Sequence, residues 1–249
     1  MPLLAEMPFT NQEAFDVRCE WGPEGVAALA DCRTFIVVDV LSFSTCVALA
    51  VERGAVVYPY RLRDGEAADF AKHHQSVLAG PRGARYSLSP GSLLTAPHGL
   101  RLVLPSPNGA EISLEAARRG NVLAGCLRNK SAVSARAVVL GGPYGIIPAG
   151  ERWRNGTLRP AFEDLLGVGA IATQLPGTRS PEAAAAIAVF ESVSNRILDV
   201  LVSCSSGREL VERGFLEDVQ LAAQLDAEIL APEFIDGAFV ASPHGEGGG

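Results

Sequence analysis

Short apolar runs separated by polar, turn-rich segments recur along the whole chain. The clearest is Phe35-Ile36-Val37-Val38-Asp39-Val40-Leu41, continuous except for one acid. A run without alternation suits a strand covered on both faces. Ser42-Phe43-Ser44-Thr45 follows with capping hydroxyls, ahead of a helix predicted from Cys46 to Arg53 and stopped by Gly54. Ala55-Val56-Val57-Tyr58 is a second strand closed by Pro59, and the strand-helix-strand order predicts that the two strands run parallel.

The same alternation predicts strands over 76–79, 100–104, 122–124 and 144–149. Helices are predicted over 64–74, 111–119, 132–140, 161–174 and 182–193, then over 197–224 in two or three pieces. Residues 229–240 read as extended chain around an Asp236-Gly237 turn. The expected fold is α/β: a three-layer α/β/α sandwich with a mostly parallel, mixed sheet. One domain spans 1–240, and the glycine-rich stretch 241–249 is a disordered tail. Open sheets of this kind place ligands at the loops leaving the carboxyl ends of strands, here after Leu41, Ala79, Leu104 and Ala149.

Composition narrows the function. At 249 residues and 48% hydrophobic, the chain buries a core without a metal or disulfide staple. A net charge of -7 argues against non-specific binding to nucleic acid or an anionic membrane. No apolar stretch approaches the roughly 20 residues of a membrane span. Cysteine occurs five times, with no CxxC pair, and Met1-Pro2-Leu3-Leu4-Ala5-Glu6 lacks the basic start of a signal peptide. The expectation is a cytoplasmic protein with reduced thiols, acting on a small molecule, with no nucleic-acid or membrane partner. A homo-oligomer is compatible with these features.

Asp39, at the end of a buried strand, is costly unless paired or cation-bound. It reads as a cation ligand or acid-base group, or as a cap of its own loop. Ser44 and Thr45 stand at a helix start, where N–H groups attract anions, and they also suit plain capping. Ser106 lies between Pro105 and Pro107, and the Asn108-Gly109 turn that follows leads from a strand into a helix. Glu151 is a second acid at the strand edge. Glu163 and Asp164 fall in the first turn of a helix, pointing about 100° apart.

Four histidines, no G-x-S-x-G elbow and no GxxxxGK[ST] loop argue against a serine hydrolase or a P-loop protein. Gly141-Gly142-Pro143-Tyr144-Gly145 precedes a strand, so it is not a dinucleotide loop. Carboxylates with an Asn amide are hard oxygen donors and favour Mg²⁺ over zinc.

Several segments together resemble the 2-phosphosulfolactate phosphatase family. FIVVDVLSFST at 35–45 is similar to that family's first strand and loop, DVLRA followed by Ser/Thr pairs. Pro107-Asn108-Gly109 resembles its Asn-Gly-Thr turn, and Ala124 to Asn129 its strand ending in Asn. Ala149-Gly150-Glu151 and Glu163-Asp164 fit its AG turn and acidic helix start. Ser206 to Leu210, Gly214 to Asp218 and Ala223 to Asp226 fit its C-terminal region. The likeness covers roughly residues 15 to 240.

The resemblance implies a Mg²⁺-dependent phosphomonoesterase converting 2-phosphosulfolactate to 3-sulfolactate, a step of coenzyme M biosynthesis. Asp39, Asn108 and Glu151 would carry the chemistry. Asp39, Glu151, Glu163 and Asp164 would hold the metal. Ser44, Thr45, Arg82, Ser106, Gly109 and Asn129 would bind substrate. Three departures stand out: Ser42 for Arg, Pro81 for Glu in the A-G-E-R segment, and Ala110 for Thr. The lost Arg predicts weaker turnover of 2-phosphosulfolactate than of a smaller or less charged ester. A non-catalytic anion-binding homologue is the alternative.

Overall fold

The structure, a computed structural model, describes residues 9–61 and 65–242. The Met1–Glu6 segment, Asp64 and residues 243–249 of the expected tail lie outside the described residues.

Nine strands form the main sheet among the described residues: β1 (Val17–Cys19), β2 (Thr34–Val38), β3 (Val56–Tyr60), β4 (Val77–Leu78), β5 (Arg101–Pro105), β6 (Asn121–Gly125), β7 (Tyr144–Pro148), β10 (Pro232–Ile235) and β11 (Ala238–Ala241). A small hairpin, β8 (Glu151–Arg152) with β9 (Leu158–Arg159), stands apart. The helices that position the site are α2 (Phe43–Glu52), α4 (Gly109–Ala116), α6 (Phe162–Ala172), α9 (Ser205–Glu212) and α10 (Leu216–Ala222). The others are α1 (Gly22–Ala28), α3 (Glu66–His73), α5 (Lys130–Leu140), α7 (Pro181–Val193) and α8 (Ile197–Ser203).

The sheet runs β1-β7-β2-β6-β10-β11-β3-β5-β4. Five of its eight pairings are parallel, so the expected mostly parallel, mixed α/β sheet is present. Every residue of β2 is buried. Phe35 and Val37 pack with α2 and α4, while Ile36 and Val38 pack with α6 and α7. That two-sided burial is why the strand carries no polar alternation.

One expectation is corrected. β2 and β3 are not parallel neighbours, because three antiparallel pairings separate them in the sheet. The C-terminal hairpin of β10 and β11 inserts between β6 and β3. It carries Phe239, fully buried, edge-on against Phe43 at 6.1 Å and Phe234 at 5.4 Å. Burying that ring against α2 outweighs the local preference for a simple crossover. β11 also takes Ala241 into the sheet, so the ordered chain extends past residue 240.

Helix α4 packs against both β2 and β3, four places apart in the sheet. The sheet therefore curls around α4, and the carboxyl ends of β2, β5 and β7 converge on one cavity. No helix among the described residues is long and apolar enough to cross a membrane.

Candidate active site

Asp39 leaves β2 and is buried at the head of two helices. Its Oδ1 accepts the Phe43 N–H of α2 at 3.0 Å, and its Oδ2 accepts the Gly109 N–H of α4 at 3.1 Å. Its carbonyl also accepts the Ser44 N–H at 2.8 Å. Asp39 is thus the cap that starts α2 at Phe43, three residues before the helix expected from Cys46. Both helix dipoles favour its charge. Burial is the larger effect: it pushes the carboxyl up to about 6, helped by nearby Glu163 and opposed by the two amides and Arg82.

Gly109 allows this convergence. A β-carbon there would lie 2.4 Å from a Phe43 ring carbon and 2.8 Å from Asp39 Oδ2. Only a bare backbone lets α4 approach closely enough to donate to Asp39.

The Pro105–Asn108 loop and the end of β7 complete the acidic wall. Asn108 Nδ2 donates to Glu151 Oε2 at 3.3 Å, and the Asn108 N–H reaches Ser106 Oγ at 3.4 Å. Burial pushes Glu151 up to about 7, with the charges of Asp39 and Glu163 adding to it and Arg159 opposing. Asp39 and Glu151 line one cavity of about 140 Å³ together with Ser42, Arg82, Ser106 and Asn108.

Asp164 braces the site from below. Its Oδ1 accepts the Val40 N–H and its Oδ2 the Gly150 N–H, both at 2.8 Å, tying the loop after β2 to the loop after β7. Burial, with Asp39 and Glu163 nearby, pushes Asp164 well above the usual carboxylate range. Glu163, also buried, accepts the Cys204 thiol at 3.4 Å. Neither acid lines the cavity.

The opposite wall is basic. Arg82 donates through Nη2 to Ser42 Oγ at 2.9 Å and through Nη1 to Asp218 Oδ2 at 2.5 Å. Asp218, buried on α10, also takes the Ser89 hydroxyl and the Gly91 N–H. Helix α9 closes the rim with Ser206, Glu209, Leu210 and Arg213.

The cavity thus joins two buried carboxylates, both with raised proton affinity, to an arginine held by a buried acid. Residues 23–237 match the sequence model of the family described as 2-phosphosulpholactate phosphatase. The chain belongs to that family. It is 28% identical over 221 residues to a probable 2-phosphosulfolactate phosphatase of Gloeobacter violaceus, covering 84% of this chain and 89% of the relative. A protein of the same description from Thermotoga maritima is 28% identical over 223 residues, covering 84% and 92%. One from Carboxydothermus hydrogenoformans is 26% identical over 212 residues, covering 82% and 87%.

Against the phosphatase family pattern, the expected residues divide into two groups. Asp39, Asn108, Glu151, Ser106 and Arg82 meet at the cavity. Ser44, Thr45 and Asn129 do not, because local geometry claims their polar atoms. Ser44 Oγ bonds the Val37 carbonyl and the Asp39 N–H, and Thr45 Oγ1 donates to the Val40 carbonyl. Asn129 bridges the Cys126 N–H and the Ala124 carbonyl. All three are fully buried and shape the loops. Gly109 acts through its N–H on Asp39.

Of the three departures, Ala110 is fully buried in the core around α2 and Pro81 is exposed. Ser42 is the partner of Arg82. Sequence reasoning missed Asp218, Ser206, Glu209 and Arg213 as site residues. All but Arg213 lie in segments that carried the family likeness, but 127 or more residues separate Asp218 from its partners on the Ser89–Gly91 turn and Arg82.

Proposed function

We propose that this protein hydrolyses a small phosphomonoester bearing a second acidic group, of the 2-phosphosulfolactate kind, with Mg²⁺ held by Asp39 and Glu151. The observation that carries this is the pairing of the two carboxylates in one cavity, each with its proton affinity raised by burial and by charge. A hard divalent cation relieves that repulsion.

The donor set fits magnesium, which typically takes one or two carboxylates and leaves remaining positions to water and phosphate. Among the described residues, no cluster of three His, Cys, Asp or Glu side chains is arranged as a metal cage. Bound there, Mg²⁺ would polarise the phosphoryl group and neutralise its charge in the transition state.

The chain's own groups do the rest. Arg82, backed by Asp218, faces the incoming phosphoryl oxygens. The Asn108 amide orients Glu151. Glu151, with its pKa lifted to about 7, is suited to take a proton from water or return one to the leaving oxygen at neutral pH. Asp39, fixed by the N–H groups of Phe43 and Gly109, presents one unchanging geometry. The free thiols support a cytoplasmic setting for this chemistry.

The test is phosphate release from a panel of phosphorylated hydroxy acids, with Mg²⁺ and with chelator. Mg²⁺-dependent release from esters with a second acid group is expected. Binding of these esters without release under either condition would make the protein an anion-binding homologue.

A further inference from the structure

The rim of the cavity carries a second arginine whose circumstances differ from those of Arg82. Arg82 sits 5.4 Å from the centroid of the Phe215 ring, and Arg213 sits 5.9 Å from the same centroid. One aromatic ring thus orders two guanidinium groups at one cavity, an arrangement that favours planar cations.

Their ion pairs are unlike. Asp218 is buried and Arg82 mostly so, with 3% and 14% of their side-chain surface exposed, so that pair stays closed. Arg213 pairs with Glu209, one turn earlier on α9, at 3.0 Å, and both are more than half exposed at 53% and 66%. An exposed pair of this spacing is weak and exchanges readily for another anion. Both Glu209 and Arg213 line the cavity, near its open side, whereas Asp39, Ser42 and Ser106 lie at its buried end.

We propose that Arg213 is the specificity residue for the substrate's second acidic group. That carboxylate or sulfonate takes the place of Glu209 on the Arg213 guanidinium, while the phosphoryl group lies deeper, against Arg82, Asp39 and Glu151. The proposal rests on the phosphomonoesterase reading of the same cavity. Phe215 holds the two arginines in a fixed relation, and Glu209 keeps Arg213 occupied until a stronger anion arrives. An ester without a second acid gains nothing at the rim.

The test uses two esters of matched shape: 2-phospholactate, and isopropyl phosphate, in which a methyl replaces the carboxylate. The proteins are wild type, Arg213→Ala and Glu209→Gln. Arg213→Ala is expected to lower kcat/KM for 2-phospholactate by about ten- to a hundredfold, the range for one charge-assisted contact, mainly through KM. For isopropyl phosphate the same variant is expected to stay within about twofold of wild type. Glu209→Gln is expected to bind 2-phospholactate at least as tightly as wild type does. Equal losses on both esters, no loss on either, or weaker binding by Glu209→Gln would overturn the proposal. Calorimetric binding of the two esters to wild type and to Arg213→Ala is measured alongside. If wild type hydrolyses neither ester, the hydrolytic reading fails. The binding ratios then decide Arg213's role alone: preference for 2-phospholactate lost in Arg213→Ala upholds it, and preference unchanged overturns it.

Discussion

Arg82 Nη2 donates to the hydroxyl of Ser42 at 2.9 Å, on the loop that leaves β2. The positive charge of this wall therefore comes from the loop after β4 rather than from the loop after β2. The buried carboxylate of Asp218 fixes the other end of the same guanidinium at 2.5 Å. Ser42, the departure from which weaker turnover of 2-phosphosulfolactate was expected, is met in the fold by an arginine in contact with it.

Arg82→Ala removes that charge and leaves Asp218 buried without its partner. The expected cost in kcat/KM is about ten- to more than a hundredfold, matching the roughly 1.5–3 kcal/mol of a charge-assisted contact. Ser42→Ala, which keeps the charge and removes one hydrogen bond, is expected to cost less than tenfold. Steady-state kinetics of the two variants on one ester checks the order.

Gly109→Ala tests the convergence of α2 and α4. The added methyl would meet Phe43 at 2.4 Å and Asp39 at 2.8 Å, both anchored groups. Overpacking of this kind costs about 1–3 kcal/mol. Thermal unfolding should show a fall of several degrees, accompanied by loss of activity.

All five cysteines are free thiols, and four are buried. Burial pushes Cys32, Cys126 and Cys204 up to about 12, with Glu163 adding to the effect at Cys204. At neutral pH they are thiols, not thiolates, and poor nucleophiles. Alkylation under native conditions is expected to leave turnover unchanged. Inactivation with the fold intact would place a thiol in the chemistry.

The strands and helices were legible because each buried face is written in uninterrupted apolar residues, as in Phe35 to Val38. Asp39, Asn108 and Glu151 were legible because each follows a strand and carries a polar group where a core would reject it. The hairpin inserted between β6 and β3 was not, since Phe239 finds Phe43 almost 200 residues away and no local pattern encodes that pairing. Ser44 and Thr45 were over-read for a related reason. A hydroxyl at a helix start serves an anion or the backbone equally well, and here Asp39 takes the capping role while the hydroxyls close the loop. Asp218 was hidden because its partners come from the turn after β4 and the Ser89–Gly91 segment.

The raised proton affinities of Asp39 and Glu151, with buried Asp164 shifted the same way, lower the stability of the metal-free protein as pH rises. Both folded-state values, about 6 and about 7, lie above the ordinary 3.8 and 4.5. Between about pH 4 and pH 7 these two groups hold more protons in the folded state than in the unfolded chain, so their contribution to stability falls as pH rises through this window. Melting temperatures at pH 5 and pH 8 in chelator should show the lower value at pH 8. A higher value at pH 8 would mean that the two carboxylates are compensated in a way the fold does not provide.

The most direct test of the site is phosphate release from 2-phospholactate by wild type, Asp39→Asn and Glu151→Gln, each with Mg²⁺ and with chelator. Both substitutions are nearly isosteric and delete one negative charge that a hard cation needs. Mg²⁺-dependent release by wild type is expected, with a loss of about a hundredfold or more in each variant; Glu151→Gln should melt no lower than wild type, whereas Asp39→Asn should melt lower, since its amide can accept only one of the Phe43 and Gly109 N–H groups. Wild-type turnover and an unchanged Mg²⁺ response in both variants would contradict the account and place the chemistry outside the Asp39–Glu151 cavity.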